Sequence, residues 1–68
     1  MRILLRSKRT AQFYAGTGQW TKDPSAAQEF KGGDFAVKEA LKHSMREMEI
    51  VYSFDNPDHD ITTPIHIF

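Results

Sequence analysis

The amino-acid sequence predicts one small α+β domain over residues 1–68, with the element order β-β-α-α-β-β. The sheet is expected to be mainly antiparallel, with the helices packed on one face. Two observations lead to this fold class: short apolar runs of strand character lie near both ends of the chain, and helix-start signals lie between them. The chain contains no cysteine, so a core of this size must fold without disulfides.

The first pair of predicted strands covers residues 2–7 and 10–15, with a tight turn at residues 7–9. Both runs are short and are bounded by turn-forming residues. Gly16 and Gly18 follow at once, and they supply the backbone freedom that the next turn requires. The start of the chain is therefore expected to form a β-hairpin.

The second pair of predicted strands lies near the end of the sequence. Residues 49–54 alternate between apolar and other side chains, which is typical of a strand with two different faces. Residues 55–60 are rich in Asp, Asn and Pro and predict a turn. Residues 61–68 are expected to form the last strand. Because proline cannot donate a ladder hydrogen bond, Pro64 predicts that this strand lies at an edge or pairs only in part.

Two helices are predicted between the strand pairs. Asp23 can accept an N-terminal N–H and Pro24 suits the first helical position, so a short helix is expected over residues 24–30. Asp34 is the expected cap of a longer helix over residues 35–47. The second helix is amphipathic, with one stripe at helical spacing that comprises Val37, Ala40, Leu41, Ser44, Met45 and Met48.

Charge is sorted along a chain whose formal net charge is zero. Residues 1–22 carry five cations and no acid, and residues 47–68 carry five acids and no Lys or Arg. One interpretation is an interaction surface. The other is that the two ends are neighbouring strands whose opposite charges attract each other, which stabilises a surface only weakly.

The sheet face away from the helices is not expected to be cleanly polar. Leu4, Val51 and one of Phe13 or Tyr14 must point there. A partly apolar and uncovered face indicates a partner, including a second copy of the chain. The residues expected to form this interaction surface are Arg2, Leu4, Arg6, Lys8, Arg9, Tyr14 and Val51.

Sequence motifs for catalysis are weak throughout. The Gly16-Thr17-Gly18 turn lacks the third glycine and the Lys-Ser/Thr pair of a phosphate-binding loop. Asp58, His59, Asp60 and His66 offer metal-ligand atoms, but the first three lie in a turn where Asp is common for its own hydrogen bonding. We therefore expect no enzymatic activity, no cofactor and no metal.

A longer motif carries a family resemblance. Tyr14-x-x-x-Gly18-x-Trp20-Thr21-x-Asp23-x-x-x-Ala27-x-x-Phe30 resembles a pattern in small uncharacterised bacterial and phage proteins. The resemblance covers about residues 10–45. It implies a strand that ends in Gly-x-Trp-Thr, a short helix opened by Asp, and inward-facing Ala and Phe. It implies no catalytic or binding residue.

Three functions follow as hypotheses. The first is a non-enzymatic protein–protein interaction module, including self-association as a homodimer. The second is a nucleic-acid-binding module that uses the basic first hairpin, with Tyr14 and Trp20 as stacking residues. The third is a phage-type inhibitor of a host protein. The lack of cysteines and of any apolar run near the roughly 20 residues that span a bilayer predicts a cytoplasmic protein without a membrane partner.

Overall fold

The computed structural model describes residues 1–65, and it is an α+β fold with a five-stranded antiparallel sheet. The spatial order of the strands is β3-β2-β1-β4-β5. Residues 66–68, which the sequence assigns to the last strand, lie outside the described part. The elements are β1 (Arg2–Ser7), β2 (Phe13–Gly16), β3 (Gln19–Thr21), α1 (Gly33–Lys42), β4 (Met48–Ser53) and β5 (Ile61–Ile65), with 3-10 turns at Pro24–Ala26 and Pro57–His59.

The ladder between β1 and β4 is the centre of the sheet. It runs without a break from the Arg2–Ser53 pair to the Ser7–Met48 pair. Consecutive residues of a strand point to opposite faces, yet Leu4 and Leu5 both have no exposed surface. At its centre, the sheet is therefore covered on both of its faces.

Helix α1 covers one face. Its first turn approaches β4 closely, because a Cβ atom at Gly33 would lie 2.5 Å from the Tyr52 hydroxyl. Glycine allows that approach. The fully or nearly buried residues of this cluster are Ile3, Leu5, Tyr14, Ala36, Ala40, Met48 and Ile50.

The opposite face, called here the outer face, carries a second and smaller cluster. Leu4, Phe13, Ala27 and Val51 form it. The expectation that Leu4, Val51 and one aromatic residue point this way is confirmed, and Phe13 is that aromatic residue. All four are at most 9% exposed, so the chain itself already covers them.

The prediction of an α-helix over residues 24–30 is wrong beyond the first turn. Asp23 does accept from the Ser25 N–H and Pro24 does begin a helix, but that helix is a single 3-10 turn. The chain then becomes extended, and the amides of Gln28 and Phe30 donate to the carbonyls of Tyr14 in β2 and Ile3 in β1. Hydrogen bonds to the sheet have replaced the helical ones.

The predicted start of the long helix is wrong, since Gly32 is its N-cap and Asp34 lies in its first turn. The helix also ends five residues before its predicted end. The Ser44 N–H donates to the Leu41 carbonyl and the Met45 N–H donates to the Ala40 carbonyl. These two bonds form a Schellman motif, in which the residue after the cap adopts a left-handed backbone. Ser44 does so, with φ at 52°. The apolar stripe is also narrower than predicted, since Leu41 is 54% exposed.

Strand β3 is absent from the predicted element order. Its residues pair with β2 through Tyr14–Trp20 and Phe13–Thr21, across a turn where Gly18 has φ at 73°. β3 has three residues between two turns, which is too few to show the apolar–polar alternation that identifies a strand in a sequence. Trp20 is thereby fixed beside Tyr14 at the edge of the sheet.

Ser44 provides a test of the helix end. Glycine reaches the left-handed region without the steric cost that a serine meets there, so Ser44→Gly should raise the free energy of unfolding by about 1 kcal/mol. Urea unfolding followed by circular dichroism measures the change. Ser53→Gly, at the end of β4, is the matched control and should destabilise the fold. A loss of stability in Ser44→Gly would contradict this account of the helix end.

Candidate functional site

The outer face holds four of the seven residues assigned to an interaction surface by sequence. Leu4 and Val51 are buried there, with at most 1% of their surface exposed. Arg2 and Arg6 flank Leu4 along β1, and their side chains are about a third exposed. A partner that docks on this face would meet the arginines and not the two aliphatic side chains.

Both arginines of β1 are paired with carboxylates. Arg2 forms an ion pair with Glu29 and donates to the Pro24 carbonyl at 2.8 Å. The Arg6 guanidinium lies 2.6 Å from Glu49 Oε2. The Arg6–Glu49 pair joins the basic start of the sequence to its acidic end, as the strand interpretation of the charge pattern expects. Paired arginines attract phosphates less strongly, because the neighbouring acid offsets their charge.

Tyr14, another of the seven, lies on the helix side and is 1% exposed. Trp20 packs edge-on against its ring, with centroids 5.7 Å apart, and Phe30 stacks at 6.3 Å. The Tyr14 hydroxyl donates to Glu39 Oε2 at 2.6 Å. This group, with His43 beside it, is called the Tyr14 cluster. A ring enclosed in this way cannot stack on a nucleic-acid base.

The hydrogen bond between Tyr14 and Glu39 shifts the pKa of both groups. Burial raises the pKa of the Tyr14 hydroxyl, and the hydrogen bond to Glu39 raises it further. The same hydrogen bond lowers the pKa of Glu39, although partial burial opposes that change. His43 Nε2 lies 3.5 Å from Glu39 Oε2 and forms no hydrogen bond within residues 1–65.

The remaining two assigned residues, Lys8 and Arg9, are exposed in the turn after β1. The Lys8 N–H donates to the Glu47 carbonyl at 2.7 Å, which fastens this turn to the loop after α1. The two loops are thereby neighbours, although they are far apart in the sequence.

A cavity of about 310 Å³ opens between these two loops and Trp20. Trp20 and two methionines form apolar walls, and a guanidinium and three uncharged polar side chains lie among them. We call it the loop-end cavity, and its lining comprises Ser7, Thr10, Gln12, Trp20, Met45, Arg46 and Met48. Sequence reasoning singled out Trp20 as a possible ligand contact and missed the rest of the lining.

Backbone strain is concentrated around the loop-end cavity. In residues 1–65, the non-glycine residues with positive φ are Ala11, Ser44 and Glu47, at 59°, 52° and 56°. Each is adjacent in sequence to a residue of the cavity lining. Such conformations cost free energy and persist where surrounding contacts impose them, often at binding sites.

The chemistry of the loop-end cavity suits binding. It offers hydroxyl and guanidinium donors, an amide and an indole surface. Within residues 1–65, no three His, Asp or Glu side chains are grouped so as to hold a metal ion. His66, named above among the ligand atoms, lies outside the described residues. The described helices include none of the length and apolarity that a membrane crossing requires.

No protein-family model matches the chain, and no curated protein or solved structure is significantly similar to it. The function must therefore be argued from the residues themselves.

The Tyr14–Glu39 bond can be tested through pH. Because folding lowers the pKa of Glu39, the stability from this pair is present above the unfolded pKa of glutamate and is lost as the pH falls through the folded value. We therefore expect Tyr14→Phe to be less stable than wild type at neutral pH. The difference should shrink in acid.

Urea midpoints measured from neutral to acidic pH check this prediction. Tyr52→Phe is the matched control, since the hydrogen bonds described for residues 1–65 include none from the Tyr52 hydroxyl. The control should lose little stability at any pH. A Tyr14→Phe defect that stays equally large in acid would show that the hydroxyl acts through packing alone.

Proposed function

We propose that the protein is a non-enzymatic interaction module whose partner is a second copy of the chain, joined to it through β5. The observation that carries the proposal is the character of this edge strand. Residues 61–64 are exposed, and Ile61 keeps 55% of its surface accessible. The strand has no charged residue. Strand addition at such an edge is a common way for proteins to bind one another.

Natural edge strands are usually protected by lysines, by proline or by shortness. The other edge strand, β3, is protected by its length of three residues. Strand β5 has five residues, four of them Ile or Thr, and proline is its one protective residue. Of the two sheet edges, β5 is therefore the one that can accept another strand.

Pro64 restricts the register of pairing but does not prevent it. Proline is tolerated in a strand where its nitrogen faces away from the neighbouring strand. When the Pro64 nitrogen faces outward, the backbone N–H and C=O groups of Thr62 and Asp60 face outward as well, because alternate residues of a strand present these groups on the same side. In an antiparallel pair centred on Thr62, Pro64 lies opposite Asp60 of the partner copy. Pro64 then has only to accept a hydrogen bond from the backbone N–H of that residue. Two copies related by a two-fold axis satisfy this arrangement.

A nucleic-acid-binding module is the second candidate. One observation favours it: the exposed Lys8 and Arg9 lie in the loop that lines the cavity beside Trp20. The pairing of Arg2 and Arg6 with carboxylates weighs against a broad phosphate-binding surface. A phage-type inhibitor would use the same β5 edge on a host protein, and it differs from the first candidate in its partner.

Thr62→Lys tests the self-association. In the proposed pair it places two like charges directly opposite each other, which destabilises neighbouring strands. We expect sedimentation velocity to show a concentration-dependent dimer for wild type and a monomer for Thr62→Lys. Gln28→Lys, which adds the same charge at an exposed site away from β5, should behave as wild type.

A wild-type chain that stays monomeric into the millimolar range would overturn the self-association. If the chain is monomeric and a host protein protects the β5 amides from hydrogen exchange, the inhibitor hypothesis replaces it. In a chain that stays monomeric, salt-sensitive quenching of Trp20 fluorescence by oligonucleotides would support the second candidate.

A further inference from the structure

We propose that the loop-end cavity binds a nucleotide, with the base against Trp20 and a phosphate on Arg46. This inference goes beyond self-association and does not use the outer edge of β5. The cavity volume of about 310 Å³ lies at the small end of the range of ligand pockets, which is about 300–1,000 Å³. That space is sufficient for a single base-sized group.

Trp20 provides a fixed stacking surface. The indole is 40% exposed, and one side of it is held by the edge-on contact with Tyr14. Tyr14 is in turn fixed by its hydrogen bond to Glu39. A preorganised aromatic surface loses little entropy when a base stacks on it. Met45 and Met48 complete the apolar walls with flexible thioether side chains, which adapt to the outline of a ring.

The polar groups of the cavity are mainly free donors. Ser7 Oγ accepts the Thr10 N–H at 3.3 Å, and Thr10 Oγ1 accepts the Gln12 N–H at 3.3 Å. Within residues 1–65 neither hydroxyl hydrogen is donated elsewhere. The Gln12 amide can both donate and accept. Carbonyl oxygens, ring nitrogens and exocyclic amines of a nucleobase match this combination.

The charge at the cavity mouth favours an anion. Arg46 is part of the lining, and Lys8 and Arg9 lie in the adjoining turn. The one acid within loop residues 8–12 and 43–47 is Glu47, so these loops carry three Lys or Arg residues and a single carboxylate. Arg46 presents a planar fork of donors, the geometry that phosphate oxygens prefer.

The strained backbone supports a binding role for this place. Ala11 and Glu47 adopt left-handed conformations that the end of α1 does not account for, and the Lys8–Glu47 hydrogen bond ties the two loops together. The fold therefore maintains the cavity walls at a cost in stability. Such a cost is typical of a site that is preorganised for a ligand.

The test titrates the full-length chain with adenosine monophosphate and follows Trp20 fluorescence. The Thr62→Lys variant is titrated in parallel, so failure of self-association does not affect the result. We expect saturable quenching in both chains. Adenosine, which lacks the phosphate, and ribose phosphate, which lacks the base, should each bind about tenfold more weakly or worse.

Arg46→Gln should weaken adenosine monophosphate by about tenfold and leave adenosine unchanged. Lys38→Gln removes a cation from the exposed side of α1 and should change neither. Backbone amide shifts of Gln12, Met45 and Arg46 in NMR spectra locate the ligand independently of fluorescence. Absence of saturable shifts and quenching at millimolar nucleotide would overturn the proposal, as would equal affinity of Arg46→Gln for the phosphate-bearing ligand.

A short oligoadenylate distinguishes the two sources of a nucleotide. Binding far tighter than the monophosphate, with a steep loss as salt rises, would identify a single strand as the natural ligand. Equal affinity would identify the free nucleotide. Either result supports the site.

Discussion

The contacts of Tyr14 connect several elements of this small protein. Its hydroxyl bonds to Glu39 of α1, its ring packs against Trp20 of β3 and Phe30, and its carbonyl accepts the Gln28 amide. One residue of β2 thereby joins the helix, the sheet edge and the extended segment after the 3-10 turn. The position of Trp20, and with it one wall of the loop-end cavity, follows from the fixed position of Tyr14.

The α+β class and the antiparallel strands at both ends were predictable from sequence, because alternation and turn residues are local signals. β1 agrees with its prediction, and β4 differs by one residue at each end. β2 begins at Phe13, three residues after its predicted start. The first helix was not predictable beyond its cap. Asp23 and Pro24 do start a helix, but the amides of residues 28 and 30 find sheet carbonyls that no local pattern reveals. The helix α1 was predicted to extend too far, because Ser44 occupies the left-handed position after the helix where glycine is the usual sequence signal.

The candidate site, like the fold, was predictable only where neighbouring residues in the sequence carry the signal. Sequence pointed to the cations of the first hairpin, yet it could not show that Arg2 and Arg6 are paired with Glu29 and Glu49. It placed Leu4 and Val51 on the outer face correctly, but only their packing with Ala27 shows that both are covered. The loop-end cavity arises from two loops that meet through Lys8 and Glu47, so its lining could not be assembled from the linear sequence.

The extended segment after the 3-10 turn also affects how the chain folds. β1 and β2 are neighbours in sequence, yet the strand register joins them only at Arg6 and Phe13. Beyond that pair, the carbonyls of Ile3 and Tyr14 are taken by Phe30 and Gln28. The first hairpin therefore lacks most of its own ladder and depends on a later piece of chain. During synthesis the hairpin can therefore gain these two hydrogen bonds only after that segment has emerged.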